Sequence, residues 1–201
     1  MSSKAKGNRF ERLVAERLTD WWGGKFNRTP QSGGASWAEQ NNAVGDIVPP
    51  PDMGFPLVIE CKDREGWSID NVLLNNKEPH EWWKQVVGDA SKSDLTPCLV
   101  FKRKYSQIYV ALPYVEQVYN DFRDSDLPIM RTDFVIDNIR KDKLYYDVMV
   151  LTLDGMLTKT PYYIKEHFAN LDWGIYKKVD SDISNQSIDD GTIDSMLDNI
   201  K

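Results

Sequence analysis

Between Lys4 and Trp22 the apolar residues Phe10, Leu13, Val14 and Leu18 recur at three- and four-residue steps, and Gly23-Gly24 follows. That spacing predicts an amphipathic opening helix with a glycine stop. Glu11 lies beside the apolar stripe rather than opposite it. Asn27 to Asn42 is polar and Gly-rich, has no period and reads as a loop. The pattern then turns β-branched and apolar: Ile47-Val48, and after Pro49-Pro50-Pro51-Asp52-Met53-Gly54 the run Leu57-Val58-Ile59-Glu60-Cys61-Lys62. Two strands around a turn predict an antiparallel hairpin. Helical spacing returns at Trp82, Trp83, Val86, Val87 and Ala90, which predicts a helix from Pro79, a residue suited to a first turn, to about Ser91. Pro97–Lys102 and Gln107–Leu112 read as strands joined by the basic turn Arg103-Lys104-Tyr105-Ser106. A short helix at Pro113–Asn120, strands at Phe134–Ile136 and Tyr145–Leu153, and a helix at Pro161–Ala169 capped by Thr160 complete the series. The expectation is an α/β fold with a central mixed sheet flanked by helices. From Val179 the chain is polar and lacks aromatic residues, which predicts disorder to about Gly191. Ile193, Met196, Leu197 and Ile200 then share one helical face, able to dock on this chain, on a second subunit or on a partner, or to remain frayed.

The 201 residues suffice for one domain with a sizeable core. No apolar run approaches a membrane span, and Met1–Lys6 leads straight into a charged helix rather than a signal peptide. Cys61 and Cys98 both sit in apolar strands, where buried free thiols suit a reducing cytoplasm. The lone histidines, His80 and His167, read as a surface or capping residue and a structural one. A formal net charge of −6 argues against a protein that coats nucleic acid. The acid is unevenly placed, however: residues 179–201 hold six Asp and one Lys, whereas residues 1–32 hold seven Lys or Arg against three acids. A locally basic surface can bind phosphates under a negative average.

The hairpin carries the chemistry. If its pairing is centred near Met53, positions 46 and 60 are opposed, with Cβ atoms roughly 4.5–5.5 Å apart, and Glu60 shares a face with Lys62. Asp46, Glu60 and Lys62 then converge. Two carboxylates so close repel, and a cation between them relieves it. Oxygen donors without His or a usable thiol favour Mg²⁺ or Mn²⁺ over zinc. A lysine beside such an ion can orient water and balance phosphate charge, which is equipment for metal-assisted phosphodiester hydrolysis. A Glu-x-Lys strand alone is ordinarily a solvated face. The opposed aspartate makes the difference here. Asp52, in Pro51-Asp52, falls within the turn, too near Glu60 to oppose it.

Gly45-Asp46-Ile47…Val58-Ile59-Glu60-Cys61-Lys62 resembles the PD-(D/E)xK nuclease motif, with Gly45 where the signature proline usually stands. Lys6-Gly7-Asn8-Arg9-Phe10-Glu11-Arg12, followed by Arg28-Thr29-Pro30-Gln31-Ser32-Gly33-Gly34, resembles the opening of archaeal-type and phage Holliday-junction resolvases. The resemblance covers roughly the first 65 residues. It implies a restriction-endonuclease-like core over 1–112, with 113–178 an elaboration packed on it or a dimerisation subregion, and 179–201 an acidic, flexible tail. It also implies a Mg²⁺-dependent, structure-selective endonuclease cutting four-way junctions. Asp46 and Glu60 would be metal ligands, with the Cys61 carbonyl a candidate backbone ligand and Glu11 a further one. Lys62 would activate water, and Lys4, Lys6, Arg9, Arg12, Arg28, Ser32 and Gln85 would face DNA. The implied partner is branched double-stranded DNA, bound by a homodimer in a bacterial, archaeal or phage-infected cell. The tail could meet a replication or recombination protein. Restriction- or repair-type cutting of other DNA structures, and a non-catalytic DNA-binding module, are the rival readings.

Overall fold

The computed structural model describes residues 3–29, 44–74 and 78–179. Ser32 and the segment from 180 onward lie outside them. Helix α1 (Ser3–Trp22) ends where Gly23 takes φ +79° and its N–H donates to the Thr19 carbonyl at 3.1 Å. Two short strands follow, β1 (Asn27–Arg28) and β2 (Ile47–Val48), then the long strand β3 (Leu57–Asp63). Next come α2 (Ile69–Leu73), α3 (Glu78–Ser93), β4 (Thr96–Lys102), β5 (Tyr109–Pro113) and α4 (Glu116–Asp124). The remainder is β6 (Ile129–Asp137), β7 (Lys143–Thr152), α5 (Leu153–Leu157), α6 (Pro161–Phe168) and β8 (Lys177–Val179).

The fold is α/β and restriction-endonuclease-like. Six strands form one mixed sheet in the order β3-β4-β5-β7-β6, with β8 beside β7; β3 and β4 are parallel and the other pairs antiparallel. Strand alternation divides the core into two layers. Ile59, Cys61, Val100 and Leu112 face α1, where Phe10, Val14 and Leu18 are buried with Phe122 of α4 and Phe168 of α6. Val58, Leu99, Phe101 and Ala111 face α3, where Trp83, Val86 and Ala90 are buried with Phe134 and Val148. Burial on both faces explains why β3 and β4 read as near-continuous apolar runs. Residues 113–178 thus enter the same sheet through β7 and the same core through α4 and α6.

The expected hairpin takes a different form. β2 pairs with β1, in the register Asn27↔Val48 and Arg28↔Ile47, and not with β3. Pro49, Pro50 and Pro51 have no N–H to give a ladder, so regular pairing cannot run on through them. The backbone hydrogen bond to β3 comes from Asp46, whose N–H donates to the Ile59 carbonyl at 2.8 Å. The helix expected from Pro113 starts at Glu116, because Pro113 still pairs with Val148. Thr160 caps α6 as expected, accepting from the Tyr163 N–H at 3.2 Å. β1, at the start of the segment expected to be loop, together with α2, α5, β8 and the first half of β6, is an addition to the expected series. His80 is buried rather than on the surface: its Nδ1 accepts from the Val135 N–H at 3.2 Å, and Nε2 lies 3.1 Å from the Asn71 carbonyl. Among the described residues no helix is long and apolar enough to cross a membrane.

Candidate active site

Strand β3 is an edge strand, and its free edge is met by Gly45-Asp46. Gly45 permits the approach. Its φ is +79°, and a Cβ there would lie 2.5 Å from the Ile59 carbonyl oxygen. The backbone bond from Asp46 to Ile59 and a second from the Cys61 N–H to Asp46 Oδ2, 2.8 Å, straddle Glu60. Asp46 therefore stands across from Glu60, although the strands do not pair beyond that point. A proline, confined to φ near −65°, could not occupy position 45 in this conformation.

Glu60 is almost wholly buried, and Lys62, two residues on, directs Nζ to its Oε1. Gln85, on the facing side of α3, accepts a second hydrogen bond from Lys62 Nζ at 2.8 Å. Among the described residues two of the three ammonium donors are thus engaged, leaving one for a ligand. Burial pushes the Glu60 carboxyl up to about 7, and the neighbouring Asp46 adds to the rise against the pull of Lys62. Asp46 is raised too, chiefly by burial and partly by Glu11, while the Cys61 N–H opposes the shift. Such carboxyls are poised to accept a positive charge. Burial likewise raises both thiols, Cys61 and Cys98, which are free and buried as expected.

These groups open into a cleft of about 440 Å³ lined by Lys4, Glu11, Asp46, Glu60, Lys62 and Gln85, among others. Glu11 is buried on α1, but its Oε2 accepts from Arg28 Nε at 2.7 Å. Arg28 also donates to Asn8 Oδ1 at 3.0 Å. Arg28, expected to face phosphate, holds Glu11 in this structure. Accordingly, no three His, Cys, Asp or Glu side chains among the described residues close on one point as they stand. Asp46 and Glu60 form a two-carboxylate donor set that fits a hard divalent cation, and Glu11 lines the same cleft. Lys6 lies 3.3 Å from Asp63 and also bonds Glu65, so it ties α1 to the end of β3. Arg9 and Arg12 are exposed on the same helix. Asn8 was not singled out by its sequence, yet its three-residue offset from Glu11 is the spacing of a shared helix face.

Protein D14 of Escherichia phage T5 is 29% identical over 117 residues, which span 56% of this chain and 71% of that relative. No solved structure matches. Residues 2–166, most of the chain including every described element of the cleft, match the family "Phage putative PDDEXK endonuclease". With an acid at 46, an acid at 60 and a lysine at 62 on one open strand edge, the chain belongs to this phage family of the PD-(D/E)xK nuclease superfamily.

Proposed function

We propose that the protein is a Mg²⁺-dependent endonuclease that cuts branched DNA, four-way junctions above all. The observation that carries the nuclease reading is the convergence of Asp46, Glu60 and Lys62 at one cleft on the edge of β3. Asp46 and Glu60 hold the ion, with the Cys61 carbonyl and Glu11 as further donors and Mn²⁺ as a substitute metal. When bound, Mg²⁺ supplies Lewis-acid stabilisation of the charge that grows on the scissile phosphate. Lys62 does the remaining work near the attacking water. Its amine is held by Glu60 and Gln85, so its third N–H is fixed in direction and can orient the water or steady the phosphate.

Branched DNA as substrate is supported by the likeness of the Lys6–Arg12 helix and the Arg28–Gly34 loop to junction resolvases. A four-way junction has near two-fold symmetry and needs two cuts, so the working form is a symmetric homodimer. Labelled four-way, forked and linear DNAs incubated with Mg²⁺ or with chelator test the reading. Cleavage of the branched DNAs, the four-way one fastest, with linear duplex spared, and its loss in chelator and in Glu60→Gln, is the expected result. Equal cutting of linear duplex would replace it with a restriction- or repair-type activity. Binding without cutting in any metal would leave a DNA-binding module.

A further inference from the structure

Beside the catalytic cleft, and sharing Asp63 with it, lies a second groove of about 810 Å³ between α1 and the β4–β5 turn. Arg9 and Arg12 stand on one wall and Lys102 and Lys104 on the other. The acids there are Glu16 and Asp63, and Asp63 is already neutralised by Lys6 at 3.3 Å and Lys102 at 3.9 Å. The parallel register sets Phe101 beside Lys62 and Lys102 beside Asp63, so the groove begins one residue past the catalytic lysine.

The turn above it is closed by hydrogen bonds. Arg103 N–H donates to Ser106 Oγ at 3.1 Å, Ser106 N–H returns to the Arg103 carbonyl at 3.2 Å, and Lys104 N–H reaches Glu65 Oε2 at 3.3 Å. At its tip Tyr105 is 94% exposed and sits at φ +62°. A tyrosine there strains the backbone and buries nothing in return, so folding does not account for it. The Lys104 ammonium lies 4.8 Å from its ring, leaving one aromatic face beside a cation.

We infer that this groove binds the phosphate backbone of a DNA arm flanking the cut, with Tyr105 stacked on a base left unpaired at the branch. The inference rests on the endonuclease reading. Tyr105 follows the residue paired with Lys62 by four positions, and β4 ends at Lys102, so the turn that carries it leaves the sheet at the same end as the catalytic lysine. Cations tracking a backbone beside an aromatic platform are the usual equipment for holding an unpaired strand.

Fluorescence anisotropy on the full chain in chelator, with a forked DNA and a fully paired duplex, tests it. Tyr105→Ala should weaken binding of the fork about tenfold, the scale of one lost base stack, and scarcely change the duplex. Tyr105→Phe should bind like the parent. Tyr105→Gly should bind as weakly as Tyr105→Ala yet melt at or above the parent, because glycine adopts that φ without strain. Arg9→Ala with Lys104→Ala should flatten the dependence of log affinity on log salt by about two. Unchanged fork binding by Tyr105→Ala overturns the inference, as does a change confined to self-association in sedimentation. If the parent cuts DNA in Mg²⁺ while the turn variants bind normally, only the groove assignment falls. If the parent neither binds nor cuts, the endonuclease reading falls with it.

Discussion

Gly45 carries more of the site than a residue without a side chain would suggest. It turns the chain at φ +79° against the Ile59 carbonyl and so aims Asp46 at β3. Gly45→Ala should lower stability by about 1–3 kcal/mol, the cost of a strained backbone conformation, visible as a melting midpoint several degrees lower. Cleavage should fall about 10²-fold, because a displacement near 1 Å is enough to spoil such geometry. Its neighbours should fail differently from one another. Asp46→Asn removes a proposed ligand, so calorimetric Mg²⁺ affinity should drop and extra Mn²⁺ should recover part of the rate. Lys62→Ala removes no ligand, so metal affinity should hold while single-turnover cleavage falls about 10²–10⁴-fold. The Glu60 carboxyl supplies a pH dependence. Its folded value, about 7, lies above the ordinary 4.5, so without metal the folded chain holds a proton that the unfolded chain has lost. The associated stability is full below about pH 4.5 and is lost as pH rises through 7. Urea melts in chelator should show the parent losing on the order of 2–3 kcal/mol relative to Glu60→Gln between pH 5 and 8. A parallel pH profile in both proteins would contradict the raised carboxyl.

At the scale of elements, α1 is fastened to the sheet by polar ties as well as by Phe10 and Val14. Arg28 of β1 holds Glu11 and Asn8, and Lys6 holds Asp63 and Glu65. Breaking a largely buried ion pair leaves a carboxylate without compensation. Arg28→Ala should therefore lower stability by on the order of 2–3 kcal/mol, and Arg28→Lys should restore only part of it, since lysine lacks the planar fork. Thermal melts beside DNA titrations decide this. If Arg28→Ala folds as stably as the parent and loses only DNA affinity, the arginine is a phosphate contact and the tie to Glu11 is incidental. The β1–β2 pair belongs to the same assembly: the Thr29 N–H donates to the Asp46 carbonyl at 2.8 Å, linking the arginine strand to Asp46.

For the whole molecule, charge and topology set different limits. β8 completes the sheet at Lys177–Val179, so a truncation must begin after it. Removing residues 180–201 deletes six Asp and one Lys and takes the formal net charge from −6 to −1. Non-specific DNA affinity should rise in low-salt gel shifts, and cutting of simple junctions should persist, because the cleft and the basic helix remain. A soluble truncation that binds DNA but no longer cuts would place the tail in the dimer or in the site.

Local chemistry made much of this molecule readable in its sequence. The α1 stripe, the glycine stop, the double-sided apolar runs of β3 and β4, the Thr160 cap and the Glu60-x-Lys62 pair all follow from period, propensity and charge within a few residues, whereas Asp46 reaches them without the hairpin that the spacing predicted. Tertiary structure decided what those signals could not reach. Which strand Ile47-Val48 joins depends on β1, some twenty residues earlier, because the prolines remove the ladder to β3. Whether Glu11 faces a cation or Arg28 depends on two elements meeting, and no spacing along one helix reveals it. The burial of His80 against β6 and the groove between α1 and Tyr105 arise in the same way. Each joins residues more than fifty positions apart, a range at which packing alone selects partners.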